Sequence, residues 1–266
     1  MTKKEVVKVA LCMLSVLSLC LPGSCKKSEE PAPAPEPTDS DTPVTTTTPP
    51  PAPAPASAPA PTANTGGLVP IKLELPKPMF VGTPQDTKVP NLEKPLGHAR
   101  PPFLAPPGTK NVALGKPVSA SDEEPIIGEI DYITDGDMEA ADGSYVELGP
   151  FQQHVTIDLE AVHDIYAIVF WHYHKEARVY FDVVVKVADD PDFIENVKTL
   201  FNNDIDNSAG HGVGTDMHYS ETNEGKLIDV LNKGVKARYV RLYSSGNTSN
   251  DLNHYIEVAV FGKPAS

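Results

Sequence analysis

Two groups of residues have types and spacings that could do chemistry. The first is Asp135-Gly136-Asp137. Hard cations such as calcium take several oxygen ligands, from carboxylates and from carbonyls on irregular backbone. This tripeptide supplies a turn, two carboxylates and exposed carbonyls; it equally suits a β-turn whose aspartate caps its own backbone. The second group is Trp171-His172-Tyr173-His174, followed by Arg178. His172 and His174 stand two apart at a strand end and so share a face. Paired neutral imidazoles suit a transition metal, but two ligands are an incomplete set, and His254 or His211 would have to complete it. Asp204, Asp206 and Ser208 alternate as in a calcium loop. Gly210 falls one place late, however, and Thr215 stands where the terminal glutamate belongs, which leaves an ordinary acidic loop. Enzyme signatures are absent: there is no GxSxG elbow, no HExxH and no phosphate loop. The chain is read as a non-enzyme.

The elements that must position these residues are strands. Val155, Ile157 and Leu159 alternate with Thr156 and Asp158, the pattern of a strand with one wet face. Residues 165–171 are apolar on both faces and read as a central strand. From Tyr180 to Ala188 the alternation predicts Phe181, Val183, Val185 and Val187 inward. The segments 237–243 and 255–262 close the domain, with Ile256, Val258 and Val260 toward a core and Glu257 on the opposite face. One helical turn is expected near 191–197. Many short strands separated by turns predict an all-β, eight-stranded sandwich of jelly-roll type, over residues 110–264.

What precedes that domain has another composition. Lys3 and Lys4, an apolar run from Val9 to Leu21, and Gly23-Ser24-Cys25 read as a lipoprotein-type signal over 1–25, with Cys25 the lipidated residue. The run is short for a membrane span, which takes about 20 apolar residues. Residues 26–67 are a Pro/Ala/Thr-rich disordered linker, a semi-rigid stalk. Residues 68–109 carry scattered apolar side chains between prolines and read as an extended arm without regular structure, lying on the domain or on another protein. The expected location is the cell envelope, after export across the inner membrane, at the outer membrane or cell surface. Contact with the membrane is through the lipid alone. All three cysteines, Cys12, Cys20 and Cys25, precede the domain, which therefore has no disulfide and no thiolate site. The formal charge of −14 excludes nucleic acid, since phosphate binding needs a basic face. Nothing signals an oligomer, and a monomer is expected.

Five fragments, NVALGKPVSAS (111–121), ITDGD (133–137), HVTIDLE (154–160), ARYVRLY (237–243) and YIEVAVFG (255–262), stand in the order seen in discoidin domains. These are also called coagulation factor 5/8 type C domains, and are galactose-binding-like relatives of family 32 carbohydrate-binding modules. The resemblance implies a β-sandwich and a structural calcium held by Asp135 and Glu257, with Asp137 beside them. It further implies a sugar site at one end of the sandwich using His, Arg, Asn and an aromatic, here His172, His174, Arg178, Asn250 and Asn253. Trp171, the single tryptophan, points inward by its alternation, so the exposed tryptophan such sites use is missing. The expected partner is a glycan or cell-envelope polysaccharide. The alternative is a module that docks, by the sandwich or by arm 68–109, onto another envelope or extracellular protein.

Overall fold

A computed structural model describes residues 67–79 and 87–266. The signal segment with Cys25, and the linker through residue 66, lie outside the described residues.

The domain is built around one strand. In chain order the described elements are β1 (Val69–Pro70), β2 (Leu104–Ala105), β3 (Lys110–Asn111), β4 (Val118–Ala120), a 3₁₀ turn (Ile130–Thr134), β5 (Val146–Pro150) and β6 (Gln153–Trp171). They continue with β7 (Val184–Ala188), β8 (Lys198–Asn202), β9 (Lys226–Asp229), β10 (Val235–Ser244), β11 (Leu252–Tyr255) and β12 (Glu257–Pro264). β6 runs for 19 residues, about 60 Å at ~3.3 Å per residue, which is too long for one face of a small sandwich. It turns at Glu160, whose φ is +65°. Its first half lies between β4 and β10, and its second half between β12 and β9. One layer therefore runs β4-β6-β10-β7-β8, the other β3-β12-β6-β9, and the pair β11-β5 stands apart. Every pairing among these strands is antiparallel. No described helix is long and apolar enough to cross a membrane.

The main core lies between the layers. Val155, Ile157, Val185, Val187, Val240 and Leu242 from the first layer meet Ile168, Phe170, Ile228, Val258 and Val260 from the second. Three expectations fail locally. Phe181 stays out of this core while Tyr180 enters it. Asp182, at φ +51°, breaks the period of two just before β7. Ile256 separates from Val258 and Val260 for a similar reason: it lies in the break between β11 and β12 and joins the opposite face. The helical turn expected near 191–197 is absent, bends and turns taking its place.

The arm lies on the domain. Ile71, Leu73 and Phe103 pack with Ala167, Val169, Trp171, Ala259 and Phe261 on the outer face of the β12-β6 layer. Phe103 meets Phe261 edge-on at 5.1 Å. The central strand is thus buried on both faces, as its composition predicts, but Trp171 faces the arm and not the sandwich interior. Contrary to expectation, the arm has some regular structure, since β1 pairs with β2. Polar clasps complete the attachment. Arg100 Nη1 and Nη2 donate to Gly225 O and Glu224 O, both at 2.7 Å, Asn223 Nδ2 donates to Pro76 O at 2.8 Å, and Lys226 pairs with Glu93 at 2.9 Å. Gly225, at φ +63°, lies so close that a Cβ would come within 2.6 Å of the Trp171 ring.

Candidate functional site

Two sites emerge, and the first is a cation corner. The 3₁₀ turn ends at Asp135, and Gly136 follows in the left-handed region at φ +92°, where a Cβ would also press on Leu114 at 2.9 Å. That geometry aims Gly136 N–H at Glu257, whose Oε2 accepts it at 3.1 Å. Glu257 opens β12 and is only 1% exposed, so the solvent-facing position read from the alternation is corrected. Its other oxygen, Oε1, is buried with no hydrogen-bond partner. Burial, reinforced by Asp135 and Asp137 and opposed by the Gly136 hydrogen bond, pushes the Glu257 carboxyl up to about 9. An orphaned buried carboxylate oxygen beside two exposed aspartates fits a hard cation. The aspartates also turn on themselves, Asp135 Oδ1 accepting from Asp137 N at 2.8 Å and Asp137 Oδ1 from Glu139 N at 2.9 Å. The aspartates thus form the self-capping turn, beside the orphaned Glu257 oxygen. Among the described residues, the carboxylates that approach within 4.8 Å as a set of three are Asp182, Asp204 and Asp206 instead. Asp204 there already accepts from Ser208 N and Ala209 N, both at 3.0 Å, as an ordinary acidic loop would.

The second site is a loop end. The β10–β11 loop is laced to residues 179–181: Phe181 N donates to Gly246 O at 3.1 Å, Ser245 N to Phe181 O at 2.9 Å, and Thr248 N to Val179 O at 3.0 Å. Asn253 ties the same loop to the β5–β6 turn. Its Oδ1 accepts from Ser244 Oγ (2.8 Å) and Gly246 N (2.9 Å), and its Nδ2 donates to Gly149 O (2.9 Å) and Phe151 O (2.8 Å). Asn253 is buried with its amide capacity used in full, so it is a staple, and a direct ligand role for it is corrected. The turn it holds presents Phe151, 83% exposed and at φ +67°. A bulky residue in that region is strained, and strain of this kind collects at ligand sites. Asn250 sits exposed on the neighbouring loop, its Oδ1 accepting from Asn247 Nδ2 (2.8 Å) and Leu252 N (3.1 Å).

Arg178 follows the end of β6. Its guanidinium lies 4.6 Å over the Tyr173 ring and donates to Glu176 Oε2 from Nε (3.1 Å) and Nη2 (3.0 Å), with the side chain 12% exposed. Tyr145 stacks obliquely on Tyr173 at 4.9 Å. Below them His254 Nε2 donates to Glu147 Oε2 at 2.9 Å, and its Nδ1 accepts from Tyr180 OH at 3.0 Å. Burial, then the charge of Arg178, holds the His254 imidazolium down at about 3, so the ring is neutral and this contact is a hydrogen bond, not an ion pair.

His172 and His174 lie deeper than the sequence implied, both fully buried. His172 Nδ1 pairs with Glu221 Oε1 at 2.8 Å, and its ring stacks on Tyr180 at 4.2 Å. His174 Nε2 donates to Met138 O at 2.9 Å. Neither is open to a saccharide. No described trio of potential ligands that includes His172, His174, His211 or His254 converges within 4.8 Å, so the transition-metal alternative has no site. The sequence missed Phe151 and Tyr145, and held Tyr173 only as a member of the Trp171–His174 group. The Gly149-Pro150 pair before Phe151 was the one turn signal available.

No family model matches the chain, and no curated protein matches it. Similar folds occur among solved structures. A truncated AlyQ with family 32 carbohydrate-binding-module and alginate lyase domains is 19% identical over 56% of this chain and 32% of that one, with a TM-score of 0.41. CpGH89 from Clostridium perfringens, in complex with GlcNAc-α-1,4-galactose, is 20% identical over 58% and 15%, with a TM-score of 0.43. A Streptococcus pneumoniae fucose-binding module, SpX-3, is 16% identical over 57% and 96%, with a TM-score of 0.39. The chain thus spans less than a third of the first two proteins. At these scores the likeness lends no weight to a shared ligand, and the chain's own residues carry the functional reading.

Proposed function

We propose that this chain is a non-catalytic carbohydrate-binding module of the cell envelope, displayed on a lipid-anchored stalk beginning at Cys25 and braced by one calcium ion. The observation that carries the reading is Phe151, an aromatic ring held out in solvent by a strained backbone and by the Asn253 staple. A ring in that position offers a saccharide a face to stack on. Asn250 is exposed on the β10–β11 loop that Asn253 ties to the same turn, and Arg178, over Tyr173, offers planar donors for ring hydroxyls. Calcium fits the orphaned Oε1 of Glu257 with Asp135 and Asp137, and would keep that carboxylate ionised while fixing the turn to β12. Its role is to brace the fold, with no part in bond-making. Docking to a second protein through the arm finds less support, because Ile71, Leu73 and Phe103 are already spent on the chain's own sheet.

The test is calorimetric titration with sugars selected from a glycan array. Phe151→Ala and Arg178→Ala are each expected to weaken binding about tenfold or more, the loss of ~1.4 kcal/mol, at an unchanged melting temperature. Equal affinity in wild type and both variants would contradict the loop-end site.

A further inference from the structure

The outward face of the β4-β6-β10-β7 layer carries a charge arrangement that the loop-end site does not use. On β10, Val240 and Leu242 face the core, so Arg241 and Tyr243 face out. Arg241 stands opposite Lys186 of β7 on one side and Thr156 of β6 on the other; Tyr243 stands opposite His154. His211, from the β8–β9 loop, lays its ring on Tyr243 at 4.1 Å, and its Nδ1 accepts from Lys186 Nζ at 3.1 Å. His154 flanks the same tyrosine at 5.2 Å.

Two cations directly opposite on neighbouring strands repel. Among the described residues, neither Lys186 nor Arg241 has a carboxylate within ion-pair distance, although Arg238 on the same strand is paired with Asp158 at 2.7 Å. Arg241 is instead aimed and held by neutral acceptors. Its Nε donates to Thr156 Oγ1 at 2.7 Å, its Nη2 to Pro191 O at 2.8 Å and its Nη1 to Tyr243 OH at 3.5 Å, with Phe193 4.1 Å beneath the guanidinium. In a chain with 36 acidic and 22 basic residues, two adjacent cations without a counter-ion need another explanation than chance surface charge. The neighbours register the excess. Burial and then Arg241 lower the Lys186 ammonium; burial, Arg241 and His211 hold the His154 imidazolium down at about 4. Burial and Lys186 lower His211, against the pull of Asp204. All four charged or titratable side chains remain partly open to solvent.

We propose that this sheet face is a second binding surface, for the carboxylate or sulfate groups of an acidic saccharide chain, with Lys186 and Arg241 as the paired cations. The saccharide part rests on the glycan-binding reading above; the sign of the ligand's charge rests on this face alone. An anion between the two cations removes their mutual repulsion and gains charge-assisted hydrogen bonds. The net charge of −14 opposes any polyanion, so attraction has to be local, and screening over about 8 Å at physiological salt permits that.

The test is affinity electrophoresis of the full chain in native gels containing polygalacturonate, dextran sulfate or uncharged dextran. Retardation by one or both polyanions and not by dextran is expected, and the polymer that works separates carboxylate from sulfate recognition. Lys186→Gln and Arg241→Gln should each raise the apparent dissociation constant about tenfold. Lys186→Gln breaks only the contacts with His211 and with the Tyr243 ring, 5.8 Å away, and serves if Arg241→Gln disturbs the fold. Retardation that Lys186→Gln leaves intact, or equal retardation by dextran, would overturn the proposal. A chain that binds neutral glycans through Phe151 but ignores both polyanions sinks the sheet face and spares the loop end. Retardation lost in Lys186→Gln, from a chain blind to every neutral glycan, does the reverse.

Discussion

Glu257 carries a pH signature that separates the cation-free protein from the calcium-bound one. Unfolded, its carboxyl ionises near 4.5; folded without a cation, burial holds it up to about 9. Between those values unfolding releases a proton, so the cation-free fold loses stability as pH rises through that window. With chelator present, the melting temperature contributed by this group should decline from about pH 5 to pH 9, and Glu257→Gln should flatten the decline. Calcium at a hundredfold excess over its dissociation constant should add about 2.7 kcal/mol, roughly 5–10 °C for a domain of this size, and Glu257→Gln should abolish that rise. A melting curve indifferent to chelator would remove calcium from the account. The histidines act at the other end of the scale. His154 and His254, held near 4 and 3, are neutral in the fold, so the stability they protect is present above about 6.5 and lost as pH falls through those values.

At the scale of elements, the arm is the segment whose importance is easiest to underestimate. It holds three anchors: Ile71 and Leu73 keep a strand's period of two that flanking prolines disguise, and Phe103 stands alone far along the chain. Phe103→Ala should cost about 3 kcal/mol by opening a cavity against Phe261, measured by urea denaturation. Removal of residues 68–109 should expose the Trp171 face and lower solubility. If a domain truncated at 110 melts at the wild-type temperature, the arm is a passenger. The strands themselves were legible, because Val155-Ile157-Leu159 and Val183-Val185-Val187 keep strict alternation where one face meets the core. That the 135–137 turn meets Glu257, through Gly136 N–H, was expected from the family resemblance alone. Phe151 was not, since nothing in Gly-Pro-Phe-Gln reveals a left-handed backbone, and Phe181 was misplaced because one residue, Asp182, resets the face of every side chain before it. His172 and His174 looked available because two-residue spacing fixes a shared face without saying how deep that face lies.

For the whole molecule, the proposed function would join a signal ending at Cys25 and a proline-rich linker to a sandwich with an exposed aromatic at its loop end and two unpaired cations on its outer sheet face. The acidic excess favours solubility and discourages nucleic acid. The most direct measurement is a glycan array probed with the full chain and with Phe151→Ala, each with calcium and with chelator. The account predicts binding to one class of saccharide, lost in Phe151→Ala and weakened by chelator. A folded wild-type chain that leaves the whole array blank would contradict it.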